Sequence, residues 1–207
     1  MTGTPTAGFH QLPLNHVGYR VDDLEAAIDG WTRTYGAGPF YVLSDMTFDE
    51  LEFMGEPIEW DHVAAYGVCG QLGIELQTFV LREPMPELEE RLGGSGCRLN
   101  HIGYYAEDTP AASARLEALG YPMFLYGRSG VDRFYWHDLP YLGHALELHS
   151  EIDAIVDFTS AARRAAAGWD GTDPIRTTLP EGLSEVALSY LLGRRGPLDN
   201  PRAPASR

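Results

Sequence analysis

Two ten-residue segments of this 207-residue chain are near copies of each other. LNHVGYRVDD at 14–23 recurs as LNHIGYYAED at 99–108. Each copy is followed by a helix-like stretch, by strand-like stretches and finally by a Glu inside an apolar triplet, IEL at 74–76 and LEL at 146–148. Internal repetition of this kind reveals how a fold is built. We therefore predict two similar modules, each supplying one His and one Glu at equivalent places.

Hydrophobic alternation and turn residues predict the order β-α-β-β-β in both halves. In the first half we predict a strand at 14–21, a helix from Asp22 or Asp23 to Tyr35, a strand beginning at Pro39, a polar acidic loop at 45–57, and strands at 58–68 and 72–80. In the second half we predict a strand at 99–106, a helix from Thr109 to Leu119, and strands near 122–127, 132–137 and 144–149. After Ser150, the pattern predicts helices at about 152–167 and 183–192.

The predicted fold class is α+β: two tandem modules whose curved sheets enclose a shared cavity, with a helical C-terminal extension added outside them. The first module covers 12–81 and the second 98–150, and a linker with a short acidic helix covers 82–97. Residues 151–207 form the extension, which ends in a Pro- and Arg-containing tail that we expect to be mobile.

Composition excludes several classes of function. The net charge of −15 argues against binding to nucleic acid or to an anionic membrane surface, because both need a positive patch. No lysine occurs, which excludes a lysine Schiff base. Two cysteines without a CxxC motif, no signal peptide and no apolar run of about 20 residues predict a cytoplasmic protein.

Strand alternation brings the repeated polar residues to one face. Val17 and Ile102 alternate with the two histidines, and the apolar residues of IEL and LEL alternate with the glutamates. The candidate metal ligands are His16, Glu75, His101 and Glu147. Two imidazoles and two carboxylates suit one divalent ion of zinc, cobalt, nickel, manganese or iron.

Other residues of the predicted sheets bear on the substrate. Aromatic residues are dense along the strands and allow an apolar, ring-containing ligand. His149 lies on the same strand face as Glu147 and is expected to line the cavity, whereas His144 lies on the opposite face of that strand. The acidic loop is a candidate source of a second base. Arg20, Arg128 and Arg133 are scattered candidates for a coenzyme A phosphate.

Residues 12–150 resemble the vicinal oxygen chelate superfamily, which includes glyoxalases, bleomycin resistance proteins and extradiol dioxygenases. The NHVGY and NHIGY openings, the IEL and LEL closings and WTRTYGAGPFYV carry the resemblance, most closely to the glyoxalase-like branch that includes methylmalonyl-CoA epimerase. The resemblance implies a metal held at His16, Glu75, His101 and Glu147. Epimerases of this group typically have Gln at the position of Glu75, where glyoxalase I has Glu.

The predicted function is a metal-dependent isomerase, epimerase or lyase that acts on a small carbonyl compound through an enolate. Glu147 or Glu75 would move the proton, with Glu147 preferred because His149 follows it on the same face. An extradiol-type iron(II) dioxygenase and a non-catalytic drug-binding protein are the alternatives within the superfamily. We expect a homodimer with a small-molecule substrate and neither nucleic acid nor membrane as a partner.

Overall fold

The computed structural model describes residues 13–44 and 46–193. Residue 12, where the first module was predicted to start, Asp45 of the acidic loop and the predicted mobile tail from residue 194 onwards lie outside the described residues. In chain order, the described part contains β1 (Leu14–Arg20), α1 (Leu24–Tyr35), β2 (Phe40–Leu43), β3 (Glu50–Phe53), β4 (Glu56–Pro57), β5 (Trp60–Cys69), β6 (Leu72–Leu81), α2 (Pro86–Arg91), β7 (Arg98–Ala106), α3 (Thr109–Ala118), β8 (Met123–Ser129), β9 (Asp132–Leu139), β10 (His144–Ser150), α4 (Asp153–Ala166), β11 (Ile175–Arg176) and α5 (Glu185–Gly193).

All the described strands form one mixed sheet with the order β11-β2-β5-β6-β1-β7-β10-β9-β8-β3-β4. β1 and β7, the strands of the repeated segments, lie side by side and antiparallel at its centre. From this centre the sheet runs outward as β6, β5 and β2 on one side and as β10, β9 and β8 on the other. The two halves are therefore related by an approximate two-fold axis, and the predicted α+β class and repeated module order are confirmed.

The last residue of each repeated segment is an aspartate that caps the following helix, which explains where α1 and α3 begin. The Asp23 carboxylate accepts a hydrogen bond from Ala26 N, and the Asp108 carboxylate accepts one from Ala111 N. Each bond satisfies an amide that the first helical turn leaves unpaired. At the other end of α1, Gly36 has φ 64° and closes the helix in the left-handed conformation.

The sheet curls because a short connection joins its two edges. Seven strands lie between β2 and β3 in the sheet order, which would place them about 38 Å apart if the sheet were flat. The chain from the end of β2 to the start of β3 can reach at most about 25 Å. The sheet must therefore bend into an open barrel, so that the end of β2 and the start of β3 lie within reach of each other.

The acidic segment 45–57 was wrongly predicted to be a loop throughout. Its residues 50–53 pair antiparallel with β8 of the second half, and residues 56–57 pair back onto them. Leu51 and Phe53 are buried in a cluster with Leu125 and Trp136, whereas the intervening glutamates point the other way. The segment forms a strand because its apolar face is buried against residues of the second half.

The sequence predicted that the C-terminal extension is added outside the two modules. Its helices pack against the sheet and also line the cavity. Phe158 and Ala162 of α4 and Leu191 of α5 form a buried cluster with Tyr41 and Tyr66 on the sheet. Before α4, the Ser150 hydroxyl bonds to the backbone of Arg133 on β9, and Ile152 is the residue at the N-cap of the helix. None of the described helices is long and apolar enough to cross a membrane.

Candidate metal centre

The glycine of each repeated NHxGY motif makes room for the histidine of the other copy. In the β1–β7 pair, His16 lies opposite Gly103 and Gly18 lies opposite His101. A Cβ atom at Gly18 would lie 2.1 Å from His101 Cε1, and one at Gly103 would lie 2.3 Å from His16 Cε1. Because real side chains never approach so closely, both positions require glycine, and both imidazoles cross the two-fold axis to meet.

The two glutamates reach the same point through parallel strand pairing. Glu75 on β6 lies opposite Gly18, and Glu147 on β10 lies opposite Gly103. One donor atom from each of the four predicted ligands lies within 4.8 Å of all the others. His16 Nε2 is 2.9 Å from His101 Nε2 and 3.1 Å from one oxygen of Glu75 and one of Glu147. The structure thus brings together all four predicted residues.

These separations have the size of the edges of a metal coordination polyhedron. Bonds of about 2.0–2.2 Å place neighbouring ligands about 2.8–3.1 Å apart at right angles and about 3.3–3.6 Å apart in a tetrahedron. His101 Nε2 lies 3.3 Å from the Glu75 oxygen and 3.5 Å from the Glu147 oxygen, within this span. Among the described contacts, the buried Glu147 Oε2 has only His16 and His101 as partners. The residues present therefore fit a divalent cation.

The opposite charges of the cluster control its protonation. Burial alone would lower the pKa of His16, but the carboxylates of Glu75 and Glu147 outweigh burial and raise that pKa to about 10. Burial alone would raise the pKa of Glu147, but His101 and His16 lower it to about 2. Against the same effect of burial, the two histidines hold the pKa of Glu75 well below its usual value. At neutral pH, the carboxylates are therefore charged, and a bound cation would take the place of the proton on His16.

Contacts outside the cluster are stronger in the second half. His101 Nδ1 donates to Asn100 Oδ1 at 2.9 Å, and this bond orients the ring so that Nε2 lies near His16 Nε2 and the Glu75 carboxylate. The Asn100 amide is itself oriented by a bond from its Nδ2 to Leu92 O at 3.0 Å. Trp136 Nε1 donates to Glu147 Oε1 at 2.9 Å. One histidine and one glutamate are thus held in place by neighbours.

The corresponding contacts of the first half are weaker. The side chain of Asn15 accepts a hydrogen bond from Tyr66 Oη at 3.4 Å and does not orient His16. His16 Nδ1 is buried and has no partner in the described part of the chain. Tyr66 lies opposite Glu75 on β5, as Trp136 lies opposite Glu147 on β9, but its hydroxyl is bonded to Asn15.

A cavity of about 100 Å³ opens beside the cluster. Among its aromatic lining residues, six whose rings contact one another form what we call the aromatic wall: Phe48, Trp60, His62, Phe79, Phe134 and Trp136. Ile155, Phe158 and Thr159 of α4 and Leu191 of α5 also line it. No arginine is among the described residues that line the cavity. The C-terminal extension therefore contributes directly to the cavity and makes it more apolar.

The other predicted histidines have separate positions. His149 lines the cavity, as expected from its parity, and its Nδ1 lies 3.3 Å from the buried carboxylate of Asp132. His137 bonds to Tyr121 O and Ser113 Oγ, which makes it structural. His144 Nδ1 contacts Ala145 O and does not line the cavity.

The predicted phosphate-binding arginines and the second base do not reach the site. Arg20 pairs with Asp22, and Arg128 pairs with Asp49 and Glu50 of the acidic segment. Neither these arginines nor Arg133 lines the cavity. No described carboxylate of the acidic segment lines the cavity. The expectation that this segment supplies a second base is therefore wrong for the described residues.

Sequence reasoning missed two kinds of residue. Gln77 lines the cavity two positions after Glu75, and strand alternation could have found it. Asn100 belongs to the repeated segment and is adjacent to His101, so its repetition was a signal. The lining residues of α4 and α5 had no such signal, because their role depends on contacts between distant parts of the chain.

Comparison with known proteins identifies the superfamily of the chain. The family model of the Glyoxalase/Bleomycin resistance protein/Dioxygenase superfamily matches residues 15–135. The chain belongs to this superfamily. Among curated proteins, no sequence matches it.

Three solved structures illustrate the likeness to relatives. Methylmalonyl-CoA epimerase from Mycobacterium tuberculosis is 18% identical, and the match covers 69% of this chain and 90% of that one, with a TM-score of 0.44. A variant of the epimerase from Streptomyces coelicolor is 18% identical over 68% of this chain and 95% of that one, with a TM-score of 0.41. A hypothetical protein from Bacillus halodurans is 12% identical over 69% of this chain and 96% of that one, with a TM-score of 0.46.

Proposed function

We propose that this protein is a divalent-metal-dependent isomerase or epimerase that moves a proton on the carbon next to a carbonyl group of a small, apolar substrate. The observation that carries the proposal is the meeting of four donor atoms within 4.8 Å at the side of an apolar cavity. His16, Glu75, His101 and Glu147 would hold the ion. When bound, a divalent ion supplies Lewis-acid polarisation of the substrate oxygens.

The residues of the chain have three tasks in this reaction. The two histidines and two glutamates hold the cation. The aromatic wall and the apolar side chains of α4 exclude water, which strengthens electrostatic interactions in the cavity. One carboxylate accepts the proton from the carbon. In an isomerisation it returns the proton to the adjacent carbon, and in an epimerisation the other carboxylate delivers a proton to the opposite face of the same carbon. A positioned carboxylate base accelerates such a step by about 10²–10⁴-fold.

The contacts of the two carboxylates favour Glu75 over Glu147 as the group that moves the proton. Glu147 is held by Trp136, and only 7% of its side chain is exposed. Glu75 is 18% exposed, and its described charge partners are His16 and His101. Glu75 therefore has more freedom to turn towards a substrate in the cavity. The sequence-based preference for Glu147 stays a prediction, and matched variants of both residues decide between them.

Metal content is the first test. Elemental analysis of protein purified without a chelating tag should find one divalent ion per chain in the wild type and none in the His16→Ala/His101→Ala variant. His144→Ala is the matched control, because His144 does not line the cavity. Stoichiometric metal in the double variant would refute the proposed site.

Proton exchange is the second test. Solvent deuterium should appear next to the carbonyl of small 2-hydroxy ketones or acyl compounds incubated with the metal-loaded protein. We expect Glu75→Gln to lower the exchange rate by at least about 100-fold and Glu147→Gln to lower it less. The reverse order would assign the base to Glu147. Oxygen uptake with catechols and no exchange would favour the dioxygenase alternative.

A further inference from the structure

Gln77 is a buried polar residue of the cavity whose carbonyl oxygen has no partner. The residue is 4% exposed, lines the cavity and follows Glu75 by two positions on the same face of β6. Its Oε1 atom is buried without a hydrogen bond to any described residue. An unsatisfied buried acceptor is costly, so native proteins seldom keep one unless a ligand or water completes it.

The strand register places Gln77 between the metal centre and the aromatic wall. On β6, Glu75, Gln77 and Phe79 follow one another on one face, so that Gln77 stands about 7 Å from Glu75 along the strand. On β5, the residue opposite Gln77 is Ala64, whose small side chain leaves space beside the amide. Beyond it, His62 lies opposite Phe79.

The aromatic wall presents flat surfaces at this end of the cavity. The His62 and Phe79 rings are stacked, with centroids 5.1 Å apart and an interplanar angle of 11°. Trp60 packs against Phe79 at 4.9 Å, and Phe48 contacts Phe134 at 5.7 Å across the cavity. Aromatic side chains favour a planar partner, which gains more from stacking than an aliphatic group of equal area does.

We propose that Gln77 determines specificity by binding the hydroxyl group of a planar ring that stacks on the aromatic wall. The inference rests on the proposed function for the identity of the site and names its substrate class, a small aryl carbonyl compound with a ring hydroxyl. The hydroxyl hydrogen donates to Gln77 Oε1, and the adjacent oxygens of the substrate face the metal ligands. The described residues that line the cavity include no arginine that would pair with an anionic group on the ring.

The test uses metal-free protein and three probes: phenol, toluene and cyclohexanol. Phenol and toluene differ only by a hydroxyl in place of a methyl, and cyclohexanol keeps the hydroxyl without planarity. Dissociation constants are measured by calorimetry or ligand-observed NMR. A cavity of this size class accepts a single six-membered ring.

Two variants should separate the two recognition elements. Gln77→Leu should lower the preference for phenol over toluene by about three- to tenfold and leave the preference for phenol over cyclohexanol intact. Phe79→Leu should lower the preference for phenol over cyclohexanol by about two- to tenfold and leave the preference for phenol over toluene intact. Gln71→Leu, at an exposed glutamine of the β5–β6 turn, is the matched control and should change neither ratio.

A purely structural role of Gln77 would give a different result. Removal of an unsatisfied buried oxygen should keep or raise the unfolding temperature of Gln77→Leu, so a weakened phenol preference cannot be attributed to unfolding. An unchanged phenol-to-toluene ratio in that variant, equal binding of phenol and cyclohexanol by the wild type, or no binding of any probe would overturn the inference.

The outcome is independent of the metal tests. Stoichiometric metal with failed ring probes would leave the proposed function standing and reject the substrate class. Specific ring binding by a protein that retains no metal would support the recognition of a ring by Gln77 and reject the metal-dependent function.

Discussion

The two copies of the repeated segment supply the same ligands but hold them differently. In the second half, Asn100 fixes the orientation of His101, and Trp136 fixes Glu147. In the first half, the equivalent Asn15 accepts from Tyr66, and His16 Nδ1 is buried without a described partner. Duplication therefore preserved the four donor atoms while the surrounding contacts diverged. The second half holds its ligands more firmly, and the first half leaves its ligands more freedom, while residues of both halves line the cavity.

Alanine at the motif glycines should have the largest effect. Gly18→Ala should displace His101, whose ring is held by Asn100 and cannot turn away, and should weaken metal binding by more than about 100-fold. Gly103→Ala displaces the less constrained His16 and should weaken it less. Competition with a chelator measures both affinities. Gly30→Ala, in α1 with no atom within 4 Å of the added Cβ, is the control and should bind metal normally. Equal losses in both motif variants would contradict the comparison.

Leucine in place of the two repeated asparagines tests the difference between the halves directly. Asn100→Leu removes the bond that orients His101 and should lower metal affinity by about 10–100-fold. Asn15→Leu should lower it by less than about threefold, because Asn15 does not contact the His16 ring nitrogen in the described contacts. Both affinities are measured by the same competition, together with the unfolding temperature. A larger loss in Asn15→Leu would show that the first half holds its ligands more firmly.

The aromatic residues opposite the two glutamates should show a smaller contrast. Trp136→Phe removes the indole N–H that holds Glu147 and should weaken metal binding by about tenfold. Tyr66→Phe removes only a long bond to Asn15 and should change affinity little. Isothermal titration calorimetry, in which metal is added to each metal-free variant up to saturation, measures the two metal affinities. Similar losses would indicate that Glu147 does not depend on Trp136.

The metal-free protein should lose stability gradually in alkali. The folded-state pKa of His16, about 10, lies above the usual value of 6.5, so its contribution is fully present below pH 6.5 and disappears as pH rises to 10. The pKa of Glu147, lowered to about 2, gives the opposite dependence, with stability lost as pH falls from about 4.5 towards 2. Urea unfolding from pH 6 to pH 10 measures the alkaline loss, which bound metal should abolish. No change between these pH values would show that His16 is neutral without metal.

Much of the fold and the candidate site followed from local patterns. Asp23, one of the two residues predicted to cap the first helix, does so, and α3 begins at Thr109 as predicted; such limits depend on residues only three positions apart. Strand alternation placed His16, Glu75, His101 and Glu147 on one face, and the structure brings them together. The same alternation in Glu50–Phe53 was a readable strand signal that the acidic composition of the segment obscured.

What the sequence by itself determined is the repeated module, its helix limits and the four candidate ligands, since each depends on side-chain periodicity over a few residues. Only the tertiary structure decided that β3 joins the far edge of the sheet, that α4 and α5 line the cavity and that Asn100 holds a histidine while Asn15 does not. The first two outcomes depend on contacts between residues far apart in the chain, and the third depends on the different surroundings of two equivalent asparagines, since Asn100 bonds to Leu92 O and Asn15 accepts from Tyr66. The first two arise from the burial of apolar faces against one another, which no short segment encodes alone.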